Sequence, residues 1–141
     1  MMETVGANKQ IEIGDSASFS KTITEYDVYG FAGISGDFNP VHINKEYAKN
    51  SAFNGQIAHG MLVGSLISTV LGTKLPGEGT VYLEQDVKFL KPVYIGDTCT
   101  AVVEVTEIIN REKGIYRLNT QIHNQSDLSV CDGYAIVKHL R

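Results

Sequence analysis

Cysteine is scarce in this chain. Cys99 and Cys131 are the only two in 141 residues, they stand far apart, and no second pair of metal-ligand residues accompanies them, so a zinc site is not expected and reduced packing thiols are. Positive charge is also in short supply: 12 Lys and Arg against 16 Asp and Glu give a net charge of -4, which leaves no basic field to draw nucleic acid or anionic lipid. No apolar run is long enough for a bilayer, because the longest is broken by Gly64, Ser65, Ser68 and Thr69. Residues 1–10 lack the apolar core of a secretory signal, and a cytoplasmic protein is the expectation. Linkers, repeats and low-complexity tracts are missing as well. The length suits one domain, read here as an arm and strand start over residues 1–15 followed by a single domain over residues 16–141.

The patterning divides into two parts. Residues 17–23 alternate as a strand does, and Thr24 with Asp27 three positions on has the form of a helix cap. That helix is expected to run to about Ser35, a second over residues 44–50 with Asn44 as its cap, and a third over residues 58–71 closed by Gly72. Beyond Gly79 the composition turns to strand over residues 80–90, 98–109, 115–124 and 130–139, with turn signals between them. One strand, then helices, then four long strands predicts an α+β fold. Its antiparallel sheet must cover its apolar face with the one helix apolar enough to be buried, residues 58–71.

Asp37 and His42 are the pair that carries chemistry. Pro40 between them disfavours helical geometry at Asn39, and five helical steps would point the two side chains apart. On either side of a turn they can converge on one point and hold a water between an acid and a base. Taken alone, an Asp before Asn-Pro is ordinarily a turn or cap residue. At the start of the third helix, free N–H groups can polarise a carbonyl oxygen, and Gly60, having no Cβ, lets that oxygen come close. On a helical wheel Gly60, Gly64, Ser68 and Leu71 form one stripe with Ile67 beside it, equally readable as a close-packing surface.

The run Ala32-Gly33-Ile34-Ser35-Gly36-Asp37-Phe38-Asn39-Pro40-Val41-His42, with Ala48 beyond it, resembles the hydratase 2 motif of (R)-specific enoyl-CoA hydratases in the MaoC-like dehydratase family. The similarity extends to Ala58-His59-Gly60-Met61, to Val81-Tyr82-Leu83 and to the segment from Phe89 to Asp97. The short length is similar to that of the single-domain members that supply (R)-3-hydroxyacyl-CoA to polyhydroxyalkanoate synthesis. This resemblance implies a hot-dog fold, a homodimer, and a thioester held by the Gly60 backbone N–H. Asp37 and His42 would then bind the water that adds syn to a trans-2-enoyl-CoA. Asn39 would support the loop, and Ser68 and Leu71 would face the acyl chain, the bulk of Leu71 favouring short to medium chains. No metal or organic cofactor is implied, since coenzyme A arrives as part of the substrate.

Water adds to a conjugated thioester only with a base and with a donor for the developing enolate oxygen. Which of Asp37 and His42 takes the proton is left open by the sequence. The same residues would serve an (R)-3-hydroxyacyl-[acyl-carrier-protein] dehydratase. A hot-dog thioesterase would want a carboxylate on or near the central helix, and residues 58–71 contain neither Asp nor Glu. A non-catalytic acyl-thioester binder would need no acid and base together. His59 is read as a structural helix-start residue. Lys88 and Lys91 are read as solvated, with contact to coenzyme A phosphates as the other reading.

Overall fold

The computed structural model describes residues 10–139. Its elements are β1 (Ser16–Thr22), α1 (Glu25–Ser35), α2 (Pro40–Ile43), α3 (Lys45–Lys49), α4 (Gly60–Thr73), β2 (Thr80–Phe89), β3 (Thr98–Asn110), β4 (Ile115–His123) and β5 (Ser129–His139). The strands form one sheet in the order β1-β3-β4-β5-β2, and every pairing is antiparallel. This is the α+β plan expected, with short connections making β3-β4-β5 a meander and α4 laid against the sheet. The part of the expected N-terminal arm over residues 1–9 lies outside the described residues. The remainder leads into β1 through bonds from the Gly14 N–H to Val105 and from the Val105 N–H to Asp15.

The sheet and α4 hold the core. Val63, Leu66, Ile67, Val70 and Leu71 of α4 are all buried, each worth roughly 1.5–3 kcal/mol over an exposed position. They meet Val103, Val105, Leu118, Ile122, Ala135 and Val137 from the sheet. The three helices between β1 and α4 form an outer layer that contributes only Val28 to this cluster. Cys99 and Cys131 are free and buried within it.

Three local features differ from the sequence expectation. The central helix starts at Gly60 rather than residue 58, because the Ala58 N–H bonds Val93 O at 2.7 Å and Ile57 bridges Tyr94, holding that segment extended. It also passes through Gly72 to Thr73, with Lys74 as its C-cap; the stop comes from Leu75-Pro76, since the residue before proline is driven out of helical geometry. Finally, the turn after Asp37 contains a one-turn helix, α2. Asn39 caps it in an extended conformation, accepting from the Val41 N–H, and Pro40 stands at its first position, where a missing N–H costs nothing.

Candidate active site

Asp37 is placed by the end of α1. The Thr24–Asp27 capping box starts that helix, and Gly36 ends it with φ +82°, a left-handed conformation that glycine adopts without penalty. The chain then turns outward. The Asp37 N–H bonds Ser35 Oγ at 3.1 Å, and Asp37 Oδ1 accepts the Asn39 N–H at 3.1 Å, so one carboxylate oxygen shapes the turn and the other is left for chemistry.

His42 lies on α2, 8% exposed. Its Nδ1 is 2.7 Å from Ile57 O. A carbonyl oxygen only accepts, so Nδ1 carries the proton and the lone pair sits on Nε2. Gln56 holds the same turn from beneath by donating to His42 O at 2.8 Å and to the Tyr29 hydroxyl at 3.0 Å. The Asp37, His42 and His59 side chains each bring a ligand-type atom within 4.8 Å of the other two. One water making two hydrogen bonds of ~2.8 Å at a tetrahedral angle spans about 4.6 Å. His42 and His59 each commit one nitrogen to a backbone carbonyl, and their rings are stacked with centroids 3.9 Å apart.

Gly60 opens α4. No side chain caps that helix, and its N-cap His59 is extended, so the first-turn N–H groups and the positive end of the dipole are available. Gly60, Asp37, His42 and His59 line one cavity of about 430 Å³, which Phe31 and Phe89 also enclose. His42, Gly60 and Phe89 line a second cavity of about 300 Å³ that reaches Lys91 and Cys131. Cys131 offers no nucleophile there, since burial pushes its thiol up to about 12. Lys88 pairs with Asp86 at 3.0 Å on the exposed surface.

Of the sequence candidates, Asp37, His42 and Gly60 therefore share a cavity, and Asn39 caps the helix carrying His42. Ser68 lines a separate, mostly apolar cavity of about 200 Å³ with Gly64, Ile67, Tyr82, Gln85 and Val87. Leu71 does not line it: at 1% exposure it is part of the core, on the buried face of α4 with Val63, Ile67 and Val70, while Ser68 is exposed. Sequence reasoning set His59 aside and passed over Phe89. The His59 position beside the Gly60 helix start was a visible signal. Phe89 gave none, since only the fold brings β2 to the start of α4.

Residues 8–126 match the MaoC like domain. The chain is 52% identical over 105 residues to an (R)-specific enoyl-CoA hydratase of Rhodospirillum rubrum, covering 74% of this chain and 73% of that one. The structure of an (R)-hydratase from Aeromonas caviae involved in PHA biosynthesis superposes with a TM-score of 0.89 at 42% identity, covering 94% of this chain and 99% of that one. At 31% identity stands a mitochondrial 3-hydroxyacyl-[acyl-carrier-protein] dehydratase of Arabidopsis thaliana, with 94% of this chain and 80% of that one covered. The fold is thus the hot-dog fold, and the chain belongs to the MaoC-like domain family.

Proposed function

We propose that this protein is an (R)-specific enoyl-CoA hydratase, a hydro-lyase adding water reversibly to trans-2-enoyl-CoA. The observation that carries the reading is the shared cavity in which an acid, an imidazole lone pair and an uncapped helix start converge. The thioester carbonyl oxygen accepts from the Gly60 N–H, and a water bridges the Asp37 carboxylate and His42 Nε2. The water oxygen bonds to C3, the C2–C3 π electrons move toward the thioester oxygen, and the enolate is stabilised by the helix-start donor. The dyad takes one proton from the water and a proton is delivered to C2 on the same face, so that H and OH add syn and the (R)-3-hydroxyacyl thioester results. No cofactor enters this scheme, and the substrate brings its own coenzyme A.

Coenzyme A is favoured over acyl carrier protein by the hydratase relatives at 52% and 42% identity, against 31% for the carrier-protein dehydratase. The 200 Å³ cavity beside Ser68 suits an acyl chain of short to medium length. We further propose a homodimer. β2 is an edge strand with Val81 46%, Leu83 53% and Phe89 49% exposed, and an unpaired apolar edge is a pairing surface. No helix among the described residues is long and apolar enough to cross a membrane, and a cytoplasmic location fits a coenzyme A substrate.

The test is loss of enoyl absorbance with crotonyl-CoA, with product stereochemistry assigned and mass measured by light scattering. Rapid conversion to (R)-3-hydroxybutyryl-CoA by a species of twice the chain mass is expected; release of free thiol without hydration would overturn the reading in favour of thioester hydrolysis. Gly60→Ala gives a second check. A Cβ there would stand 3.1 Å from the Phe89 ring, narrowing the approach to the helix start. Gly60 is the first residue of α4, where alanine gains less than the ~0.5–1 kcal/mol of a helix interior and the Phe89 ring must yield by a few tenths of an ångström, so the variant is expected to melt close to the parent. Its kcat/KM should nevertheless fall roughly tenfold, a loss of about 1.4 kcal/mol in transition-state binding.

A further inference from the structure

One buried polar group in the site has no part in that scheme. His59 is 2% exposed, and its Nδ1 has no hydrogen-bond partner. The ring is wedged between His42, stacked at 3.9 Å and 27°, and Phe31, tilted at 4.8 Å. Its Nε2 lies 3.0 Å from Asp37 O. The carbonyl can only accept, so Nε2 donates and the lone pair is left on Nδ1, where an unpartnered acceptor is tolerated better than an unpartnered N–H.

The bond to Asp37 spans 22 residues. The other bonds made by residues 36–39 are local: Gly36 to Ala32, Asp37 to Ser35, Phe38 to Gly36, Asn39 to Asp37, and Val41 and His42 to Asn39. Among the described residues, His59 thus provides the hydrogen bond that joins the Asp37 turn to the start of α4. The same ring sets the plane of His42 by stacking, and the same residue precedes Gly60 in the chain. We infer that His59 is a positioning residue: through Nε2–H and its ring face it fixes the gap between Asp37 and His42 and holds both in register with the Gly60 N–H. This rests on the hydratase reading above.

Two variants separate positioning from mere packing. Glutamine can place an amide N–H where imidazole Nε2 stands and keep the bond to Asp37 O; asparagine reaches only the Nδ1 position. With crotonyl-CoA, His59→Asn is expected to lower kcat by about 10²-fold, as a misplacement near 1 Å does. KM should change less than about threefold, because the lost interaction serves the transition state, and His59→Gln should recover the part of the rate that depends on the Asp37 bond, leaving a smaller loss from the missing stack on His42. Equal losses in both variants, or a loss confined to KM, would overturn the inference. A readout independent of turnover is the Asp37 carbonyl ¹³C shift, expected to move in His59→Asn and return in His59→Gln; the same shift in both variants would also overturn it. If the parent enzyme hydrates no enoyl-CoA, the hydratase reading fails, and the carbonyl shift alone then decides whether His59 tethers Asp37.

Discussion

Asp37→Asn is expected to reduce crotonyl-CoA hydration by about 10²–10⁴-fold, the range for losing a positioned acid-base group, while the fold is retained. The structural side rests on Oδ1. That atom accepts the Asn39 N–H at 3.1 Å, and the asparagine carbonyl oxygen can make the same bond. The residue is exposed, so the swap buries nothing new and should cost no more than about 0.5 kcal/mol. What is lost is the second carboxylate oxygen, replaced by an amide that donates toward the water and cannot take its proton. Thermal melts should coincide with the parent while the absorbance assay falls nearly silent. Turnover within tenfold of the parent would show that His42 alone activates the water and would remove Asp37 from the chemistry.

The largest expected effect on stability lies away from the site, at Gly133. This residue sits within β5, paired with Val87 on one side and Thr120 on the other. A Cβ added there would fall 1.9 Å from Asp86 O and 2.7 Å from Asp86 C, both backbone atoms that cannot rotate aside. The strand must give way, and Gly133→Ala is expected to cost about 3 kcal/mol, the upper range for overpacking. A urea titration should show the midpoint fall with its slope unchanged. Since β2 carries Phe89 to the cavity, activity should drop at temperatures where the folded fraction is still high. A midpoint equal to the parent's would mean that β2 can shift along β5 freely.

Periodicity made most of the fold legible. The capping residues Thr24 and Asp27, the Asn44 cap and the turn signals between strands are local chemistry, and the elements they bound appear within a residue or two of expectation. The ends of α4 were less legible because long-range events set one of them: the Ala58–Val93 bond delays its start. The single turn of α2 was written in Asn39-Pro40 as a cap and first position, a signal masked by the general reading of proline as a breaker. At the site, residue type and spacing made Asp37, His42 and Gly60 candidates, and the resemblance to the hydratase 2 motif singled them out from turn and packing residues. The stacking of His59 on His42 and the placing of Phe89 over the helix start join segments 17 and 29 positions apart, respectively, and no local pattern encodes such contacts. Leu71 shows the limit of a helical wheel: it shares a stripe with Gly60, Gly64 and Ser68, yet the stripe lies at the border of the buried face, so Leu71 falls in the core and Ser68 outside it.

The outer layer of α1, α2 and α3 contributes one residue, Val28, to the core cluster, yet it carries Asp37 and His42. Gly60 belongs to the helix that the sheet encloses. On the proposed reading, carbonyl capture and proton traffic thus belong to different layers of the molecule, one built into the main core cluster and one packed through its own buried Ala32, Val41 and Ala48. An enzyme built on this plan keeps the cradle for the thioester in one layer and the tool applied to it in another.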